Sequence, residues 1–552
     1  MFHWSRIVIA ATKVRLLMMI PMALSSRWAR FPSWFVVCVL FFAPCAVRAD
    51  DTVTVTILYT AGNKGYFLPF KVYESRIFKG LTLKPGDRYG GYAVLAHYVK
   101  EARAQALRRK GILVLVDGGN SLVGSSEANF FKGNVSVDFM NRVGYDAITV
   151  SNLDFSLGRD VVEACAGKAT FPFLNANLFE TRTEQPPSFL KRHTLIEREG
   201  VKIGIVGYAQ SNMRGWLDPR TIAGLAARPA APLVQRCVDE LRAAGAELVV
   251  AVDHTAGENM KAIAANVRGI DVLIDGAVEW ASVYTTTFSL GAPEQIGNTV
   301  IYPEVDAHFG IGRIDLVIDR GTRRIVSRKS EIRFLNLAED AEDPAMKNFV
   351  AKYSEIYFDV IGNKLEEVIG YATADLTTEW DEAWTTPLGT LVCDALRERA
   401  GTDFGIQNVG GIRRYIRKGP IRIADVRDAL PFENTIVTFE VLGRDLDELY
   451  ALRLIAPTKP AVPWIYVSGA TLERDSGLAV RRVRILGKNP EPDRVYTFAT
   501  NSYFHAAGYL IDARCRNIKV LDIPVADAVA DYVRGHSPLS PTGREVGTHY
   551  EH

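Results

Sequence analysis

Several things are scarce in this chain. No Cys-x-x-Cys pair and no zinc-type spacing occurs, so the sequence offers no thiolate metal site. After the first fifty residues no Lys/Arg run is long enough to suggest a basic arm, and the formal net charge is only +2. No global field therefore recruits nucleic acid or an anionic membrane. Low-complexity segments and internal repeats are missing, which excludes a solenoid and a disordered linker protein. The one long apolar stretch, near the N-terminus, is too short to span a bilayer comfortably. What remains, at 48% hydrophobic and 23% charged residues, is an ordinary globular composition. At about 150 residues per domain, 552 residues predict two to four domains.

The N-terminus reads as an export signal. Arg27 and Arg30 precede the apolar run Trp34 to Ala43, and Val47-Arg48-Ala49 places small residues for a peptidase. We expect a signal peptide over residues 1–49 and a periplasmic or secreted product, with an uncleaved anchor as the alternative. Four cysteines then remain, Cys165, Cys237, Cys393 and Cys515. An exported location permits disulfides among them, and four buried thiols are the other outcome.

Short apolar strands alternate with helical spacing from Val53 to about Leu335. Ile112–Val116 is a continuous apolar strand, and Tyr92–Arg108 and Pro229–Ala244 have helical periodicity. Each strand ends in small or polar residues. This predicts a layered α/β domain over 50–335 with its site in loops at strand C-terminal ends. A linker and helix over 336–361 leads into a second α/β unit over 362–536, and 537–552 reads as a frayed polar tail.

Several blocks in order carry a resemblance. TILYTAGNKG, GGYAVLAHYVKEAR, VLVDGGNSLVGS and FKGNVSVDFMNRVGYDAITVSNLDFSLG lie in the first domain. QNVGGIRR and LPFENTIVTFEVLGRDL lie in the second. Together the mature chain resembles the 5′-nucleotidase / UDP-sugar hydrolase family over nearly its whole length. The resemblance implies a four-layer metallophosphoesterase-like β-sandwich with flanking helices, followed by a 5′-nucleotidase C-terminal domain. It also implies two divalent ions that clamp a phosphoryl group and activate water.

The ligand positions depart from that pattern. The family's first Asp and His fall on Gly62 and Lys64, and its bridging Asp on Asn120. Asn152 is kept, but the catalytic His beside it is Leu153 and the Glu after it is Asp154. His254 matches a strand-end His, while the G-H-x-H block reads Gly276-Ala277-Val278-Glu279. Among these positions only Asn152 and His254 keep the family's residue. A cation at Lys64 and a neutral amide at Asn120 both weaken a metal pair. We therefore expect no resident cofactor and no working catalytic residue, with Asn152, Leu153 and Asp154 as vestigial positions. The alternative is a divalent ion at partial occupancy on Asn120, Asn152, His254 and Glu279.

The second domain keeps more. The resemblance assigns ligand binding to Asn408, Gly410, Gly411 and Arg413, with Trp464 and Tyr503 sandwiching a base. Core packing is the bland alternative for both aromatics. Two departures, Trp384 for an Arg and Ala506-Ala507-Gly508 for G-G-D-G, weaken phosphate contact. The expected partner is a nucleoside, nucleotide or nucleotide-sugar, with no nucleic acid and no membrane span after signal cleavage. Two other functions stay open: an active phosphohydrolase with a rebuilt metal site, and a structural or partner-binding scaffold.

Overall fold

The computed structural model describes residues 52–540 except 73–75, 79–80, 214–216, 218–219, 256–259, 278–291, 306–308, 379–385, 433, 448–454, 457–458, 464, 475–479 and 507–513. The export signal, Val278, Glu279, Trp384, Trp464, Ala507, Gly508 and the end of the tail lie outside the described residues.

The first domain is a pair of six-stranded sheets. The first contains β1 (Thr52–Thr60), β2 (Ile112–Asp117), β3 (Ala147–Thr149) and β4 (Phe173–Leu174). The second contains β5 (His193–Arg198), β6 (Val201–Ala209), β7 (Leu248–His254), β8 (Val272–Asp275), β9 (Glu294–Ile296) and β10 (Thr299–Tyr302). Strands β11 (Gly310–Asp319) and β12 (Ile325–Phe334) return to the first sheet. The strand orders are β12-β11-β1-β2-β3-β4 and β5-β6-β7-β8-β10-β9.

The inner pairs β1–β2, β6–β7 and β7–β8 run parallel. All six residues of β2 and all seven of β7 are buried. This is the continuous apolar pattern of strands covered on both faces. Val55, Ile57, Val114, Ile205, Val250 and Ile274 fill the space between the sheets. Tyr59 also lies there, and its ring needs Gly312 opposite: a Cβ at Gly312 would come within 2.1 Å of it.

Helices cover both outer faces. Helices α1 (Tyr92–Arg108), α2 (Asn134–Val143) and α3 (Arg159–Lys168) pack on the first sheet. Helix α4 (Ala230–Ala243) packs on the second. The result is the expected four-layer sandwich.

Helix α5 (Pro344–Tyr357) connects the domains. Asp343 caps it, accepting the Met346 N–H at 3.0 Å, and Pro344 occupies its first turn. In the second domain the strands are β13 (Phe404–Asn408), β14 (Thr435–Leu442), β15 (Ile465–Ser468), β16 (Val495–Asn501) and β17 (Arg516–Pro524). They form one sheet in the order β15-β13-β16-β14-β17. Helices α6 (Pro387–Ala400), α7 (Ile423–Ala429) and α8 (Val525–His536) pack on one face of it.

Two sequence expectations are settled differently from their statement. The tail does not fray from Ser537: Leu539 is buried, its carbonyl accepts the Thr373 N–H at 2.9 Å, and Ser537 Oγ accepts the Tyr371 N–H at 2.9 Å. An apolar leucine and a free strand edge outweigh the polar composition there. The four cysteines Cys165, Cys237, Cys393 and Cys515 are all buried and not joined to one another, so the disulfide alternative among them is not realised.

Candidate functional site

The loops after β1, β2, β3, β7 and β8 meet at one end of the sandwich. The first two are zipped by their backbones. Gly62 N–H donates to Gly119 O at 2.9 Å and Lys64 N–H to Asn120 O at 2.8 Å. Lys64 and Asn120 both adopt positive φ, 54° and 55°, at these turns. Lys64 is buried there.

Asp154 organises the cluster. Its carboxylate accepts the N–H groups of Asn120, Ser121, Leu122 and Ser151 at 2.9–3.0 Å. Those four bonds occupy both oxygens. Burial pushes the carboxyl up, and the four backbone donors oppose that shift. Asp154 is thus a fastener between two loops.

Asn120 is equally committed. Its Oδ1 accepts the Ser151 hydroxyl at 2.6 Å and the Leu153 N–H at 2.9 Å. Asp117, the last residue of β2, accepts Thr60 Oγ1 at 2.6 Å, Ser121 Oγ at 2.9 Å and the Gly119 N–H at 2.8 Å. Burial pushes its carboxyl up to about 7 against those donors.

His254 is fully enclosed. Its Nδ1 donates to Gly118 O at 2.6 Å, and the backbone of Gly276 is a second hydrogen-bonding neighbour of the ring. Burial pushes its pKa down to about 4, which keeps it neutral. Beneath it the two sheets nearly touch: a Cβ at Gly118 would lie 2.6 Å from the Gly276 Cα. Asp253 and Asp275, paired in register, each accept a nearby N–H, from Thr255 at 2.5 Å and from Ala277 at 3.1 Å.

These residues do not fit a two-ion site. The side chains of Gly62, Leu153 and Ala277 have no donor atoms, and the donor oxygens of Asn120 and Asp154 are used within the protein. Among the described residues no three His, Cys, Asp or Glu side chains form a group that could hold an ion. Of the partial set named from sequence, Asn120 and Asn152 line a cleft, His254 is enclosed against Gly118, and Glu279 lies outside the described residues.

That cleft, of about 500 Å³, runs between the two domains. The first domain contributes Asn120, Asn129, Asn152, Leu153 and Arg220. The second contributes Asn408, Gly410, Gly411, Arg413, Phe432 and Tyr503. Asn408 ends β13, and its Oδ1 accepts Nδ2 of Asn501 at 2.8 Å. Gly411 has no room for a side chain, since a Cβ would meet Gln407 Nε2 at 2.0 Å. At Gly410 a Cβ would meet only Asn408 Nδ2 within 4 Å. The Arg413 guanidinium lies 5.1 Å over the Phe432 ring.

A family model described as the 5′-nucleotidase C-terminal domain matches residues 368–512. A 5′-nucleotidase of Vibrio vulnificus is 25% identical over 500 residues, covering 83% of this chain and 86% of that protein. The fold matches a crystal structure of a 5′-nucleotidase precursor from Thermus thermophilus with a TM-score of 0.72 at 21% identity, covering 90% of this chain and 99% of that one. The second domain matches the 5′-nucleotidase C-terminal domain, and over most of its length the chain is similar in sequence to 5′-nucleotidases. A further relative, Endonuclease YhcR of Bacillus subtilis, is 27% identical over 436 residues. The match takes in 76% of this chain but only 34% of that larger protein.

Sequence reasoning missed several residues of this cleft, among them Phe432, Asn434, Asn129 and Arg220. Phe432 and Asn434 stood inside the quoted block LPFENT and had a local signal. Asn129 and Arg220 had none, because only the packing of the two domains brings them to the cleft.

Proposed function

We propose that this 5′-nucleotidase-like protein is exported and binds a nucleoside or nucleotide in its interdomain cleft without performing the family's metal-dependent hydrolysis. One observation carries the reading. The cleft gathers Asn408, Gly410, Gly411, Arg413 and Tyr503, while the Asn120 oxygen, at the position of the bridging carboxylate, is bound internally. Tyr503 and Phe432 supply flat π-faces for a base, and Gly410 leaves room for a ligand near the backbone.

Calorimetric titration with adenosine, AMP and UDP-glucose tests binding. Heat with at least one of them, lost in Tyr503→Ala, is expected; no heat with any would sink the reading. Metal analysis of the purified protein should find well under one ion per chain, where a two-metal site holds about two. Amino-terminal sequencing of the exported protein should begin at Asp50.

A second reading, hydrolysis through a rebuilt metal site, draws support from the relative named as a 5′-nucleotidase. It requires divalent-metal-dependent phosphate release from AMP that His254→Ala abolishes.

A further inference from the structure

The two ends of the first domain differ in charge. The site loops lie at the C-terminal ends of its parallel strands. At the N-terminal ends the turns 109–111, 199–200, 244–247, 267–271 and 320–324 come together. A Cβ at Gly111 would lie 2.8 Å from Thr54 O in β1. Arg320 donates to Glu199 O at 3.1 Å, Arg323 pairs with Glu247 at 2.6 Å, and Arg242 donates to Gly269 O at 2.7 Å.

Cations collect here. Among the described residues Arg108, Arg109, Lys110, Arg268 and Arg324 are exposed and pair with no carboxylate. Lys202 and Arg320 bond to backbone carbonyls, of Ala244 and Glu199. Asp146, Glu247 and Asp271 are each tied to an arginine, namely Arg198, Arg323 and Arg242. That leaves Glu197, Glu199 and Asp319 as unpaired acids beside these turns. Asp50 and Asp51 precede β1 in the chain, and Arg328 and Lys329 follow on β12, so positive charge stays in excess. The rest of the chain is not basic. Without residues 1–49, 59 Lys and Arg stand against 63 Asp and Glu. A net-negative chain thus carries one positive end, a contrast that the overall charge hides.

The helix dipole favours a cation at a helix C-terminus, which accounts for Arg108. No dipole asks for Lys202, Arg320 or Arg324, which flank strand turns. Leu107, beside the cations of α1, is 79% exposed, the most exposed large apolar side chain among the described residues. Val326, at the start of β12, is 52% exposed. Apolar side chains set among unpaired cations are the combination that holds a protein at an anionic lipid surface. Strand β1 begins at Thr52, so the chain enters the domain at this same end, just after the predicted export signal. A nucleic acid would use the cations but neither the leucine nor the point of entry.

We infer that this end of the first domain docks on an anionic lipid bilayer, with Arg109, Lys110 and Arg324 as charge contacts and Leu107 entering the headgroup region. In that pose the site loops, at the opposite end of the domain, face away from the bilayer.

Arg48–His552 form one compact unit, so the chain from Asp50 tests this without the apolar N-terminal segment. Sedimentation with vesicles of phosphatidylcholine, alone or with about 30% phosphatidylglycerol, reads the binding. The anionic vesicles should bind about tenfold or more tightly than the neutral ones at about 20 mM salt, and the advantage should fade by about 300 mM. The triple variant Arg109→Gln, Lys110→Gln, Arg324→Gln should cut the advantage to within about twofold. A matched triple variant in the second domain, Lys488→Gln, Arg516→Gln, Lys519→Gln, removes the same charge from exposed positions and should keep it. Equal binding to both vesicle types, no binding to either, or equal losses in the two variants overturns the inference. So does tighter binding to a DNA duplex of random sequence at the same salt, which would assign this end to nucleic acid. None of these outcomes bears on ligand binding in the cleft.

Discussion

At the scale of single residues, two buried groups in the loop cluster titrate in opposite senses. Asp117 is raised to about 7, so its folded form holds a proton more tightly than the unfolded chain does. The stability it contributes is present below about pH 4 and is lost as pH rises through 7. His254 is lowered to about 4, and its contribution is present above about 6.5 and is lost as pH falls through 4. Converted at about 1.36 kcal/mol per unit, the upper bounds are about 4.4 kcal/mol for Asp117 and about 3.4 kcal/mol for His254. Relative to the parent chain in chelator, Asp117→Asn should gain stability as pH rises from 4 to 7. His254→Gln should gain as pH falls over that range. Urea midpoints across that range check both signs. Asp154→Ala is harsher: it strands four buried N–H groups at about 1–3 kcal/mol each. We expect a loss above about 4 kcal/mol in urea unfolding, or no folded protein.

Among elements, the contacts that close the site are made by backbone. The loops after β2 and β8 meet through Gly118 and Gly276 with no space for a Cβ. Gly118→Ala must push the two sheets apart locally and should cost about 1–3 kcal/mol, the range for overpacking, read as a lowered urea midpoint. Helix α6 begins at a Thr386 cap, whose Oγ1 accepts the Gly389 N–H at 3.0 Å, followed by Pro387. Thr386→Ala should cost about 1 kcal/mol by the same measurement. These signals are local, and periodicity places helix α1 at its observed bounds, Tyr92–Arg108. The strand read as Ile112–Val116 runs on through Asp117, because tertiary burial and ladder hydrogen bonds extend it into a polar residue.

For the whole molecule, the cleft exists only because the domains pack against each other. Arg414 contributes to that packing. Its guanidinium sits 5.4 Å over the Phe70 ring of the first domain and pairs with Asp428 at 2.7 Å. Cation–π contacts of this kind are worth about 0.5–2 kcal/mol. Arg414→Ala should leave circular dichroism unchanged and increase the radius of gyration in small-angle scattering, with weaker ligand binding in the same variant. No change in either property would place the domain packing elsewhere. Among the described residues no helix is long and apolar enough to cross a membrane.

Ordered blocks in the sequence were enough to show the resemblance to 5′-nucleotidases, the two-domain α/β architecture and the positions Gly62, Lys64, Asn120, Leu153 and Ala277 that depart from that pattern. Such blocks record local backbone needs, namely a glycine at a turn or an apolar run for a buried strand, and these are written residue by residue. Tertiary structure decided what the replacements do. Whether Asn120 turns its oxygen inward, whether His254 is locked between Gly118 and Gly276, and whether Arg220 reaches a cleft built with Arg413 all depend on neighbours far away in sequence. Hydrogen-bond direction and burial are properties of the packed assembly, and no spacing of residues encodes them.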